Sequence, residues 1–179
     1  MRKLVVAEFM TVDGVVEAPD KWHFPYINDE VMSVVLGVSS EADTMVLGRV
    51  TYQSYAGAFA NAPEDDPVGA VMNRPAKVVV TETLDNLEWP NSSRIAGDVV
   101  EQVAKLKEQP GGTILTTGSI TLAQTLLKAS LVDEVNLLID PIVVGSGRRL
   151  FEESAKIPLK LVSCGTFSTG VVNAVYQPV

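Results

Sequence analysis

The segment Thr113-Ile114-Leu115-Thr116-Thr117-Gly118-Ser119-Ile120-Thr121-Leu122-Ala123-Gln124-Thr125-Leu126-Leu127-Lys128 decides the fold. Thr113 to Thr117 form a short β-rich run that reads as a buried strand. Glycine then lets the backbone turn tightly, and Gly118-Ser119 opens a helix holding Leu122, Ala123, Leu126 and Leu127 at helical spacing. A strand passing through glycine straight into a helix is the building unit of a parallel sheet. The same unit stands upstream, where a strand over 43–48 runs through Leu47-Gly48-Arg49-Val50-Thr51-Tyr52 into a helix at about 50–56.

Outward from these two junctions, strand and helix alternate. Residues 3–10 are an apolar first strand that ends in the loop Thr11-Val12-Asp13-Gly14. Val31, Val34, Val35 and Val38 form the stripe of an amphipathic helix over 28–38, with Asn28 as its N-cap and Asp29 and Glu30 in its first turn. The Ala, Pro, Gly and Asp content of 57–75 reads as an irregular excursion with room for a short helix. Lys77 to Thr81 are a further strand, and Asp98 caps a helix over 99–109 that Pro110-Gly111-Gly112 stops. After residue 131 the helical pattern ends. Three strand candidates (132–139, 159–167 and 171–177) follow with short links that favour antiparallel pairing. The expectation is one domain over 1–179, with a mixed, mostly parallel sheet and an antiparallel C-terminal ribbon.

Composition narrows the partners. Of 179 residues, 14 are Lys or Arg and 22 are Asp or Glu, giving a net charge of −8. Nucleic-acid binding is excluded on that balance, because phosphate affinity needs clustered basic residues. The single cysteine, Cys164, cannot form an internal disulfide, and Cys164 with the single histidine, His23, is too small a ligand set for structural zinc. No metal is expected. The apolar run after Arg2 and Lys3 is broken by Glu8 and Asp13, so it reads as a strand rather than a signal peptide. No stretch approaches the ~20 apolar residues that span a bilayer. A cytoplasmic protein without membrane contact is expected.

The two glycine junctions carry the most chemistry. A helix N-terminus presents free N–H groups and a positive dipole end, and Arg49 and Thr51 beside Gly48 make a phosphate site. Gly118 and Ser119 repeat the arrangement, and ligands of open α/β sheets bind at such strand ends. Each junction alone is better explained by a turn and a helix cap. The loop Gly145-Ser146-Gly147-Arg148-Arg149 places two arginines on flexible backbone, either for an anionic ligand or for water. G-x-G-x-x-G, the P-loop pattern and G-x-S-x-G are all missing from the sequence, against a standard Rossmann site, a P-loop and a serine hydrolase. Candidate proton donors are Glu8 in the first strand, Asp29 and Glu30 at the helix start, and His23.

In order and spacing, Asp13-Gly14, Leu47 to Tyr52, Gly118-Ser119-Ile120, Leu131 to Val135, Asp140 to Phe151 and Gly170-Val171-Val172 with Tyr176 resemble the dihydrofolate-reductase-like superfamily. Within it, the chain is most similar to stand-alone homologues of the riboflavin-biosynthesis reductase domain. The resemblance implies a three-layer α/β fold with helices on both faces of the sheet, NADPH across the carboxyl ends of the strands, and a homodimer. It assigns Gly48, Arg49 and Thr51 to the adenosine and pyrophosphate side, and Thr81 to the neighbourhood of the 2′-phosphate. Gly118, Ser119, Ile120 and Leu122 would line the pyrophosphate and ribose, and Asp13 and Gly14 would belong to a mobile loop over the nicotinamide. Trp22 and His23, in a segment similar to the Trp-x-x-Pro stretch of dihydrofolate reductases, and Arg148 are candidate substrate contacts.

Two departures qualify the resemblance. The pterin-binding acid would fall at Ile27 or Asn28, so true dihydrofolate reductase activity is not expected. Glu82 after Thr81 is a feature of NAD sites, which leaves NADH open although Arg49 favours NADPH. The function implied is an NAD(P)H-dependent reductase moving a hydride to a small heterocyclic or conjugated metabolite, similar to 5-amino-6-(5-phosphoribosylamino)uracil reductase. The alternative is a nucleotide-binding sensor or interaction module without turnover.

Overall fold

A computed structural model describes residues 1–63, 65–151 and 156–179. Eight strands form one sheet: β1 (Leu4–Thr11), β2 (Ala42–Gly48), β3 (Ala76–Val80), β4 (Ser92–Ile95), β5 (Thr113–Thr117), β6 (Glu134–Asp140), β7 (Leu159–Thr166) and β8 (Val172–Pro178). Their spatial order is β4-β3-β2-β5-β1-β6-β8-β7. From β4 to β6 every pairing is parallel, and β8 and β7 continue the sheet antiparallel. The helices are α1 (Asp29–Glu41), α2 (Arg49–Phe59), α3 (Pro67–Asn73), α4 (Val99–Glu108) and α5 (Ile120–Lys128). Among the described residues, no helix is long and apolar enough to cross a membrane.

Both faces of the central strands are covered, which explains why their sequences are continuously apolar rather than alternating. Leu4, Val6, Val46, Ile114 and Val135 pack with Val103 of α4 and with Leu122, Ala123 and Leu126 of α5. Val5, Met45, Leu47, Val79 and Leu115 on the opposite face pack with Tyr52 of α2, Met72 of α3 and the buried Trp89. Further along that face, Val31, Val34 and Val35 of α1 cover Phe9 and Leu138. The expected mixed sheet, its two helical layers and the C-terminal ribbon are all present.

Three local features differ from the sequence reading. β4 is absent from that reading because Ser92, Ser93 and Arg94 carry no apolar alternation, and pairing with β3 alone makes the segment a strand. α2 runs on to Phe59, since Tyr55, Ala56 and Phe59 gain a hydrophobic cluster to pack against. Inside the expected excursion, Asp66 accepts a hydrogen bond from the Val68 N–H at 3.0 Å and starts α3.

α1 is held at its start. Asn28 Oδ1 accepts from the Val31 N–H at 3.0 Å, and Asn28 Nδ2 donates to Glu30 Oε2 and to Ser168 Oγ, both at 2.9 Å. Glu30 also accepts from the Ser168 amide at 2.9 Å, which fastens α1 to the turn between β7 and β8. We expect Asn28→Ala to lower stability by about 1 kcal/mol, the usual cost of a lost N-cap. Urea unfolding of the two proteins measures it, and an unchanged midpoint contradicts it.

Candidate active site

Parallel strands end on the same side, so the carboxyl ends of β1, β2 and β5 meet. There the two glycine junctions touch: the Gly48 N–H donates to Ser119 Oγ at 2.9 Å. Gly118 has φ 69°, and a Cβ there would lie 3.1 Å from Thr51 Cγ2 and 3.2 Å from Tyr55 Oη. Only glycine fits both the left-handed backbone and the close approach. Its N–H donates to Glu8 Oε2 at 3.0 Å, because the β1–β5 register pairs Ala7 with Thr117 and leaves Glu8 level with Gly118.

Glu8 is buried, and its Oε1 has no hydrogen-bond partner among the described residues. Desolvation pushes its carboxyl up to about 8, against the opposing pull of the Gly118 N–H, so the acid form prevails at neutral pH. Tyr55 is pushed up to about 12, mainly by burial, with a hydrogen bond to Thr117 opposing and the charge of Glu8 adding to the rise.

The helix starts at these junctions differ from the others. α1, α3 and α4 are capped by the side chains of Asn28, Asp66 and Asp98, whereas α2 and α5 have no side-chain cap. Ser119, the residue placed to cap α5, gives its oxygen to Gly48 instead. Both N-termini thus keep amide donors and a positive dipole end for an external anion. Arg49 lies exposed beside them, with Nη1 3.3 Å from Gln53 Oε1. These features fit the diphosphate and adenosine phosphate of a dinucleotide.

The Asp13 loop is stitched to the loop after β6. Asp13 accepts from Thr11 Oγ1 at 2.6 Å, the Gly145 N–H at 2.9 Å and the Val144 N–H at 3.3 Å. These bonds, the Thr11 hydroxyl first, hold its carboxyl below the usual range. Arg149 Nε donates to the Asp13 carbonyl at 2.9 Å beside Gly14 (φ 83°), and Arg148 Nη2 donates to Thr121 Oγ1 at 2.7 Å.

Next to this edge lies a cavity of about 380 Å³ between the sheet and α1, α2 and α3. Its wall is mostly apolar: Ala7, Phe9, Leu115 and Leu138 from the sheet, Val34, Val35 and Val38 from α1, and Phe59 and Met72 opposite. Glu8, Asp20, His23, Tyr55, Thr117 and Asn136 supply polar groups, and no lysine or arginine lines it among the described residues. His23, which in a loop would ordinarily face water, is 4% exposed. Its Nδ1 is 2.6 Å from Asp140 Oδ2, its ring stacks on Phe9 at 3.6 Å between centroids, and Trp22 stands edge-on at 6.3 Å.

The structure separates the remaining candidates from this cavity. Asp29 is exposed, and Glu30 is committed to Ser168 and Asn28, with the Ser168 hydroxyl first among the contacts that depress its carboxyl. Neither lines the cavity, and neither does Arg148. Ile120 and Leu122 turn their side chains into the core because α5 must bury that face, so only their backbone is left for a ligand. Thr81 Oγ1 accepts from the Thr83 and Leu84 amides and closes its own turn, while Glu82 Oε1 accepts from the Gly97 N–H. Trp22 is buried with Nε1 on the Glu17 carbonyl at 3.0 Å. Ile27 lines the cavity and Asn28 caps α1, so no carboxylate stands where a pterin acid would. Asp140 and Tyr55 also belong to the site, and nothing local in the sequence marks Tyr55. For Asp140 the signal is a lone acid ending the mostly apolar segment Val135 to Ile139.

Comparison with known proteins agrees with this architecture. The RibD C-terminal domain family model matches residues 2–173, and the chain belongs to that family. YyaP of Bacillus subtilis (strain 168), described as uncharacterized, is 29% identical over 98% of this chain and 95% of its own. A putative riboflavin biosynthesis protein from Shewanella sp. PV-4 superimposes with a TM-score of 0.76 at 18% identity, covering 99% of both chains. Dihydrofolate reductase from Enterococcus faecalis, solved with NADP(H), gives 0.70 at 14% identity over 98% and 96% of the two chains. The Thermotoga maritima diaminohydroxyphosphoribosylaminopyrimidine deaminase/5-amino-6-(5-phosphoribosylamino)uracil reductase also gives 0.70, at 15% identity, over 99% of this chain and 57% of its own. The fold is dihydrofolate-reductase-like, and the family is of the reductase type.

Glu8 generates a pH prediction. Between about 4.5 and about 8 the folded protein binds a proton there that the unfolded chain has released, so stability falls as pH rises through that window. The slope contributed approaches about 1.4 kcal/mol per pH unit. Urea unfolding from pH 5 to 8.5 should show this decline in the wild type and a flatter profile in Glu8→Gln. Parallel profiles contradict it.

Proposed function

We propose that the protein is a reductase that binds NADPH across the β2–α2 and β5–α5 junctions and reduces an uncharged, planar, conjugated compound in the adjoining cavity. The observation that carries this reading is the pair of uncapped helix N-termini, joined through Gly48 and Ser119, opening beside a largely apolar cavity. When bound, NADPH supplies a hydride to an electron-poor carbon. The chain's own residues hold and orient. Amides at the starts of α2 and α5 receive the diphosphate, Arg49 reaches for the 2′-phosphate, and the flat wall of Phe9, Leu115 and Leu138 favours a planar ring.

The lining also bears on the substrate. A phosphoribosyl group would bring a phosphate into a space whose described wall has carboxyl groups at Glu8 and Asp20 and no lysine or arginine. Burying an unpaired phosphate there is costly, so the favoured substrate is neutral at that end.

Calorimetry with NADPH and NADH tests the cofactor reading. We expect NADPH to bind, and Arg49→Ala to weaken NADPH roughly tenfold, the scale of one lost charge-assisted contact, while NADH changes little. No heat at millimolar NADPH overturns the reductase reading. Equal loss of both cofactors removes Arg49 from the 2′-phosphate.

A further inference from the structure

We propose that His23, held by Asp140, is the residue that donates the proton to the substrate as it is reduced, with Nε2 as the donating atom; this rests on the reductase reading above. The pair is built for a ligand. His23 and Asp140 are 4% and 0% exposed, yet His23 Nε2 and Asp140 Oδ1 have no hydrogen-bond partners among the described residues. A buried polar atom without a partner costs stability, and a site that meets a substrate atom explains its retention.

The geometry leaves one nitrogen for the substrate. Asp140 Oδ2 lies 2.6 Å from Nδ1, and with the carboxylate accepting an Nδ1–H, Nε2 is the unpartnered nitrogen of a side chain that lines the cavity. Phe9 stacks on one side of the ring at 3.6 Å, and Trp22, anchored through Nε1 to the Glu17 carbonyl, stands against it edge-on.

The other acids of the cavity serve less well. Glu8 Oε2 is taken by the Gly118 N–H. Asp20 is exposed, and Tyr55, pushed up to about 12, holds its proton too firmly.

The step balances as follows. Hydride from the reduced nicotinamide forms a C–H bond at the electron-poor carbon of a C=N or conjugated C=O group, and the π bond's electrons move to the heteroatom. That atom takes the Nε2 proton of the imidazolium, leaving neutral imidazole with Nδ1–H still on Asp140. Substrate gains two electrons and two hydrogens, the nicotinamide is oxidised, and water restores the proton after product leaves.

His23 is the chain's single histidine, so a sample labelled with [15N]histidine gives one imidazole spin system. In the NADP⁺-loaded protein at neutral pH, we expect Nδ1 to carry the proton that is hydrogen-bonded to Asp140. Glu8, in its acid form, and Asp20 are the other acids lining the cavity, and the same spectrum of Glu8→Gln separates their influence. A bare Nδ1 facing a protonated Asp140 overturns the proposal. With NADPH and cyclohexenone, a neutral conjugated ketone, His23→Gln should reduce turnover at least roughly a hundredfold, the lower range for a lost general acid, with NADPH affinity within twofold. Turnover within threefold of wild type also overturns it. Failure of the wild type to bind NADPH would instead overturn the reductase reading, and the nitrogen spectrum of the unliganded protein would still report which atom of the pair holds the proton.

Discussion

The hydrogen bond from the Gly118 amide to the buried Glu8 carboxyl joins the two strands around which the site is built. It requires β1 and β5 to be parallel neighbours in the observed register, since a shift by one residue would send Glu8 to the other face. It also requires a left-handed backbone where β5 turns into α5, which permits the close contacts with Thr51 and Tyr55 of α2. One peptide group thus aligns β1, β5, α2 and α5. Without that donor, Glu8 would be a buried carboxyl with neither oxygen satisfied, and it would cost the fold more than it does.

On this frame the sheet edge divides into two chemical regions. Around Gly48 and Gly118 the exposed groups are backbone amides, helix starts and Arg49, a surface for a phosphate-bearing molecule within a chain of net charge −8. Whole-chain charge is therefore a poor guide to small anionic ligands, since the useful positive potential is local and partly carried by peptide dipoles. Towards β6 the same face becomes apolar, broken by the His23–Asp140 pair. The proposed hydride transfer uses such a division: a polar grip for the cofactor's tail and an apolar space at its reacting end.

Much of the frame was legible in the sequence because its signals are local. Glycine between strand and helix at 47–52 and 116–120, valines at helical spacing in α1 and the caps Asn28 and Asp98 each act within a few residues. What escaped depends on distant pairing. β4 is polar and becomes a strand only by lying beside β3. Asp29 and Glu30 looked like possible acids, whereas the partner that binds Glu30, Ser168, lies 138 positions away. His23 shows this most clearly. A histidine between tryptophan and phenylalanine gives no hint that Asp140, 117 positions on, waits at the end of β6 to bury it.

The two ends of the sheet argue that the polar groups of the cavity are there for chemistry rather than for folding. At the amino end Arg2 binds Asp43, the Thr44 hydroxyl and the Gly112 carbonyl, Lys107 binds Asp133 and the Leu131 carbonyl, and Lys77 donates to the Asn73 carbonyl and lies over the Trp89 ring. At the carboxyl end, Glu8 Oε1, His23 Nε2 and Asp140 Oδ1 are all buried and unpartnered. A fold able to satisfy a buried arginine and a buried lysine has the means to satisfy a histidine, or to replace it with leucine at lower cost. Polar groups left incomplete beside a dry cavity are the expected mark of a site whose missing partners arrive with the ligand.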